Sequence, residues 1–137
     1  MNRRHWVLLY HYAAGLSDTS TGLLLLFAPA WTLRLMGVTQ APHPIFFASY
    51  VGIFVLCVGA TYLWILPGRL ASPSYAAYWR TQWLITAFFR SMIALFVITE
   101  ITLGTMERAW IAVAITDGVF AAIQWIGLRG NWLAVAD

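Results

Sequence analysis

Apolar residues fill four long stretches of this chain, and polar residues gather between them. The stretches run over about 7–28, 45–66, 80–103 and 109–128. Each comes close to the ~20 residues that an α-helix needs to cross a hydrocarbon layer of about 30 Å. The second is the cleanest, with no charged side chain from Ile45 to Leu66. Breakers mark the boundaries: Pro29 ends the first stretch, Pro42 and Pro44 precede the second, and Pro67-Gly68 closes it. Gly104 leads into a tight connection, Thr105-Met106-Glu107-Arg108, between the third and the fourth. From Ala30 to Gly37, Trp31, Leu33, Leu35 and Met36 are mixed with Arg34. That mixture predicts a short helix of about two turns lying in the membrane interface. The expected fold is therefore an all-α integral membrane protein with one domain over 1–137. It is a four-transmembrane-helix bundle with a short interfacial helix after the first span.

Composition strengthens this picture. The chain is 61% hydrophobic and only 9% charged. A soluble domain carries about 25% charged residues, so this surface does not face water. All eight basic residues are arginines, placed mostly at segment ends, which reads as a topology signal and excludes a nucleic-acid surface. Arg3, Arg4, Arg69, Arg80 and Arg129 fall on one side, against Arg34 and Arg108 on the other. The positive-inside rule then places both termini and the 67–79 loop in the cytoplasm. The N-terminal segment has a signal-like start but runs on apolar to Phe27 without an A-x-A-like cleavage site, so it is expected to stay as a span. Trp6, Tyr10, Tyr12, Tyr75, Tyr78, Trp79, Trp83, Trp125 and Trp132 read as an interface belt on the cytoplasmic side, with Trp31 and Trp110 on the opposite face. Gly15 and Gly22, and Gly52 and Gly59, each recur at a spacing of seven; with Ala48, Ala121 and Ala122 they predict close helix contacts. The single cysteine, Cys57, has no intrachain partner and reads as a buried structural thiol.

Three ionisable residues, Asp18, Arg90 and Asp117, each sit near the middle of a long apolar stretch. Counting about 1.5 Å per residue from the cytoplasmic ends places each about 15–16 Å deep, at one level near the bilayer midplane. Isolated there, the three would cost roughly 9 kcal/mol on insertion scales, against a total stability of about 5–15 kcal/mol for a small protein. They are therefore expected to meet, with the guanidinium fork serving both carboxylates. The cluster carries a surplus negative charge, so either one carboxyl holds a proton or another cation joins. His11, seven residues before Asp18 on the same helix face, is a candidate for that cation. Gln124 stands in the equivalent place relative to Asp117, and Gln82 lies on the cytoplasmic side of Arg90, giving a possible second polar layer of His11, Gln82 and Gln124. Such a cluster is either a clasp that fixes which helix faces which, or a ligand- or proton-handling site.

The remaining polar residues carry less chemistry. Glu100 is expected at the outer rim, within reach of Glu107 and Arg108, and Ser17 is expected to hydrogen-bond its own helix. His5 and His11 fall on one side and His43 on the other, so no metal site or paired haem ligation is expected. No serine–histidine nucleophile, phosphate loop or nucleotide fingerprint is present.

Several of these features together resemble a known family. The first helix ends in Gly22 to Pro29, the interfacial stretch ends in Met36-Gly37, and the second helix contains glycines. Arg90 lies in helix three and Asp117 in helix four. The pattern is similar, over about residues 7–128, to the DoxX-like superfamily of small bacterial membrane proteins. The chain departs from many relatives in having no charged residue at the start of helix two, where Phe46 to Tyr50 stand. The resemblance implies an accessory or quinone-proximal subunit of a membrane redox complex.

Three functions follow as expectations. The first is a non-catalytic accessory subunit packed against a larger redox or electron-transfer complex, or against its own copies. The second is a binding protein or enzyme for a lipophilic molecule such as a quinone or another lipid. The third is a small proton-coupled transporter, against which Arg90 counts because it competes for Asp18. No cofactor is required by any residue pattern.

Overall fold

The computed structural model describes residues 3–64 and 73–133, which form helices with no strand among them. Helix α1 spans Arg3–Phe27, α2 Pro29–Leu35, α3 Phe46–Leu63, α4 Pro73–Leu103 and α5 Ile111–Arg129, with a 3-10 turn at Arg108–Trp110 before α5. Pro67-Gly68, Arg69 and the side chains of Arg3, Arg4 and Tyr75 lie outside the described part. The described part of the chain is thus all-α, as expected from its apolar pattern.

Three segments are long and apolar enough to cross a membrane: Phe46–Leu63, Ala76–Leu103 and Arg108–Arg129. Helix α1 has the length, at 25 residues, but is not among them. Its centre carries Ser17-Asp18-Thr19-Ser20-Thr21, five polar residues in a row. Helix α4 begins at Pro73, earlier than the apolar pattern alone suggests, and has 31 residues. At 1.5 Å per residue that is about 46 Å, well beyond a hydrocarbon layer of about 30 Å. Its first turns therefore extend past the apolar part.

Helix α2 falls where the interfacial helix is expected. Pro29 opens it, where a missing N–H costs nothing. Leu33 and Thr32 are buried, while Trp31, Arg34 and Leu35 stay exposed. Leu33 packs with Leu25, Val38 and Ala48, closing one end of the molecule.

Glycines decide how α1 meets α3. A Cβ on Gly22 would lie 2.7 Å from Leu56 Cα and 2.8 Å from the Gly52 carbonyl oxygen. A Cβ on Gly52 would meet Leu26 N at 2.9 Å, and one on Gly59 would meet Thr19 N at 2.5 Å. At the other end Gly15 faces Tyr62 and Leu63. As the α1 number falls the α3 number rises, so the two helices run antiparallel with their backbones in near contact. Helix α5 packs in turn on α4. Ala121 is buried, but Ala122 is exposed and takes no part.

Large side chains join these two helix pairs, and here the interface-belt expectation needs correction. Tyr10, Trp79 and Trp83 are 6%, 1% and 0% exposed and form the core with Val7, Ala14 and Tyr62. Trp79 and Trp83 lie one turn apart on the inner face of α4, and Gly127 leaves the room that Trp83 fills. Trp6, Tyr12 and Tyr78 remain on the outside. Cys57 is also corrected: it is exposed. Gly59 faces α1, and two residues away a side chain points roughly 200° around the helix, to the outer face.

Candidate functional site

The inner face of α4 repeats at three- and four-residue steps: Trp79, Gln82 and Trp83, Thr86, then Arg90. This spacing drives Arg90 into the centre of the bundle, where it is 4% exposed. Its Nη2 donates to Asp18 Oδ2 of α1, and its Nη1 donates to Asp117 Oδ1 of α5 at 2.5 Å. Asp18 is buried and Asp117 half-buried. The guanidinium carbon lies 4.9 Å from the centre of the Phe120 ring and 6.0 Å from that of Tyr62. Both rings offer their π-faces to the cation, which lowers the cost of keeping it out of water. One fork thus ties three helices together, and through α1 it also holds α3.

His11, Gln82 and Gln124 are all buried, but they do not extend the triad as a set of charges. His11 Nε2 accepts a hydrogen bond from Trp83 Nε1 at 2.9 Å, so that nitrogen carries no proton. The ring stacks on Trp79 with centroids 4.2 Å apart. Among the described residues the salt bridges are Arg90–Asp18 and Arg90–Asp117, and His11 is in neither. The expectation that His11 supplies the balancing cation is therefore corrected: Tyr10 and Tyr62 pack against its ring, and its free lone pair is already used.

Gln124 is fully buried and donates from Nε2 to Tyr62 Oη at 2.8 Å and to Thr86 Oγ1 at 2.6 Å. Tyr62 donates to Thr86 Oγ1 at 2.8 Å, and Thr86 donates to the Gln82 carbonyl at 2.7 Å. Gln82 Nε2 donates to Thr61 Oγ1 at 2.9 Å. Tyr10 donates to the Phe120 carbonyl at 3.3 Å. Tyr10, Tyr62, Thr86 and Trp83 are thus part of the polar centre, and the sequence reading missed all four. A signal for two of them existed. Thr86 stands one turn before Arg90, and Tyr62 lies three residues after Gly59, on the face that the glycines mark as inward.

At the other end, Glu100 accepts from Thr105 Oγ1 within its own turn and forms no ion pair with Arg108. Glu107 has the larger role. It accepts from Thr39 N and Thr39 Oγ1, both at 3.0 Å, and from Gln40 N at 2.5 Å. The connection after α2 is so tied to the one before α5. The backbone N–H groups of Thr39 and Gln40 hold the Glu107 carboxyl below its ordinary range, because they bond the charged form. Ser17 differs from expectation as well. Its carbonyl accepts from Ser20 Oγ at 3.0 Å, and it is Ser20 that bonds back onto the helix.

Among the described residues no group of three histidine, cysteine, aspartate or glutamate side chains is placed to hold a metal ion. A groove of about 180 Å³ is lined by Ala76, Ala77, Arg80, Gly127, Leu128 and Asn131. It is smaller than the ~300–1,000 Å³ usual for a ligand pocket, and Arg80 stands about 15 Å along α4 from Arg90. Searches among protein-family models, curated proteins and solved structures find none that matches this chain. The triad itself offers acid–base and charge-pairing chemistry.

Proposed function

We propose that this chain is a four-span protein of the bacterial inner membrane, with both termini in the cytoplasm. It acts as a non-catalytic accessory subunit of a larger membrane complex of the redox or electron-transfer kind, on the DoxX-like plan. The observation that carries this reading is the double engagement of Arg90. The one buried cation of the triad is taken up by two carboxylates from two other helices. Its chemistry is used to set the helix arrangement, as a clasp does. The same pairing explains how α1 crosses the bilayer despite its polar centre, since Asp18 faces Arg90 and the α1 glycines lie on α3. The outer faces support the reading too. Phe46, Phe47, Tyr50 and Phe54 on α3, and Phe88, Phe89, Met92 and Phe96 on α4, are all exposed. Such surfaces suit lipid and neighbouring transmembrane helices.

The test is purification from native membranes in a mild detergent, followed by mass spectrometry of the intact assembly. A stoichiometric membrane partner is the expected result. A chain that purifies alone and monomeric, with its membrane's redox activities unchanged when it is deleted, refutes the proposal.

A further inference from the structure

The buried polar groups are not spread evenly through the bundle. Towards the end where α1 starts and α5 stops lie His11, Gln82, Thr86 and Gln124. Towards the other end, the described buried side chains beyond the triad are Leu25, Leu33, Val38, Ala48, Ala94, Val97 and Ala114, with Thr32. The Thr32 hydroxyl is occupied by its own helix, donating to the Ala28 carbonyl at 2.9 Å. One half of the bundle is therefore polar inside and the other is dry.

The polar half reaches the surface at Thr61, an exposed residue near the end of α3. The Gln82 side chain donates to Thr61, and a second set of hydrogen bonds, starting at the Gln82 main-chain carbonyl, joins Thr86, Tyr62 and Gln124. Thr86 is one helical turn from Arg90, about 6 Å along the axis. Two buried atoms of these residues have no partner, Gln124 Oε1 and Arg90 Nε, an acceptor and a donor. Further out, Gln82 Oε1, His11 Nδ1 and Trp79 Nε1 are also buried without partners, and Thr19 Oγ1 is so at the level of the triad, against Gly59. Buried polar atoms left so are costly, and a cluster of them is where internal water binds.

We infer that the triad is a site for one exchangeable proton, supplied through this column by internal water and open to only one side of the membrane. The inference rests on the membrane reading above and goes beyond the clasp, because a clasp alone needs no route to solvent. The charges that face the two carboxylates are the Arg90 guanidinium from α4 and the carboxylates themselves. The Tyr10 and Tyr62 hydroxyls, from α1 and α3, are the nearby neutral titratable groups. With both aspartates ionised the triad has a net charge of −1. A proton passed from bulk water to one carboxylate oxygen brings it to zero, forming one O–H bond and leaving the counter-charge outside. In a low-dielectric surrounding the neutral triad is favoured. Water bridging Gln124 Oε1 and Arg90 Nε completes the path, and the apolar half blocks exit on the far side.

Infrared spectroscopy of the full chain in lipid nanodiscs tests this. At neutral pH the wild type is expected to show one protonated carboxyl per chain, whose band shifts on transfer to D₂O. Asp18→Asn and Asp117→Asn each leave a neutral pair, so each is expected to lose the band while keeping the fold. Gln124→Leu is expected to slow the D₂O shift about tenfold, as one lost hydrogen bond in the path does. Thr86→Val serves the same purpose if Gln124→Leu does not fold. Val97→Ile, in the dry half, is expected to leave the rate unchanged. Absence of the band in the wild type, or its survival in both Asn variants, overturns the proton site. Slowing by Val97→Ile but not by the column variants overturns the sidedness. If the chain has no membrane partner yet shows this band and exchange, only the subunit proposal fails.

Discussion

Replacing Arg90 with methionine is the sharpest test of the clasp. The substitution keeps an unbranched side chain of similar length and removes only the cation and its donors. Asp18 and Asp117, whose side chains are 11% and 16% exposed, then face each other with no counter-charge. Removing one partner from a buried ion pair typically costs about 3–5 kcal/mol. Here two carboxylates lose the same partner, while their slight exposure offsets part of that, so the expected loss stays within about 3–5 kcal/mol. The Phe120 face also loses its cation, adding on the order of 0.5–2 kcal/mol. Set against a total of about 5–15 kcal/mol, a combined loss of about 3.5–7 kcal/mol is at least roughly a quarter of the stability. The companion variant D18N/R90M/D117N replaces all three charges with neutral groups and is expected to recover most of the loss. Reversible unfolding in mixed micelles, titrated with a denaturing detergent and followed by circular dichroism, measures both. If R90M lies within about 1 kcal/mol of the parent, well below the buried-pair cost, the charges do not hold the bundle. If the triple variant is less stable than R90M, stranded carboxylates are not the reason for the loss.

Other outcomes follow from the same geometry. Gly22→Ala drives a methyl group into the α3 backbone at Leu56 and Gly52, and is expected to cost about 1–3 kcal/mol in the same unfolding assay. Gly118→Ala meets nothing within 4 Å and is expected to stabilise by about 0.5–1 kcal/mol through the helix preference for alanine. Trp83→Phe leaves His11 Nε2 without its donor and opens space beside Gly127, so a loss of at least about 1–3 kcal/mol is expected. The Glu107 tie responds to pH. Its folded-state pKa lies below that of an ordinary glutamate, so its contribution is fully present above the ordinary value and is lost as pH falls through the lowered one. Hydrogen-exchange protection of the Thr39 and Gln40 amides is expected to drop in that acid range, and Glu107→Gln is expected to remove the pH dependence.

Much of this molecule follows from one-dimensional information. Runs of apolar residues bounded by Pro29, Pro42, Pro44 and Gly104 are sufficient to place helices, because length and hydropathy are properties of a segment alone. The glycine spacing in α1 and α3 marks which faces meet, since only a missing Cβ allows backbones so close. The level of Asp18, Arg90 and Asp117 is equally a matter of counting along straight helices. These three meet in the structure through a single guanidinium.

What only the tertiary structure decided is rotation about the helix axis and the partners it selects. Where a helix is apolar nearly all round, as α3 is, hydropathy does not distinguish inner from outer faces; only the glycine face is marked, and packing on α1 turned Cys57 outward and Tyr62 inward. Aromatic residues near helix ends satisfy a membrane interface and a core equally well. The packing of α4 against α1, α3 and α5 sent Trp79 and Trp83 inward, and their arrival took His11 from the triad by giving its nitrogen a donor. Hydrogen-bond partners such as Thr86 with Gln124, or Glu107 with Thr39, join residues far apart in the chain. Periodicity reports a residue's own helix and nothing of the helix across from it. The chain alone determines which segments are apolar and how deep their charges lie; the polar column and its one-sidedness exist only once four helices fix one another's rotation.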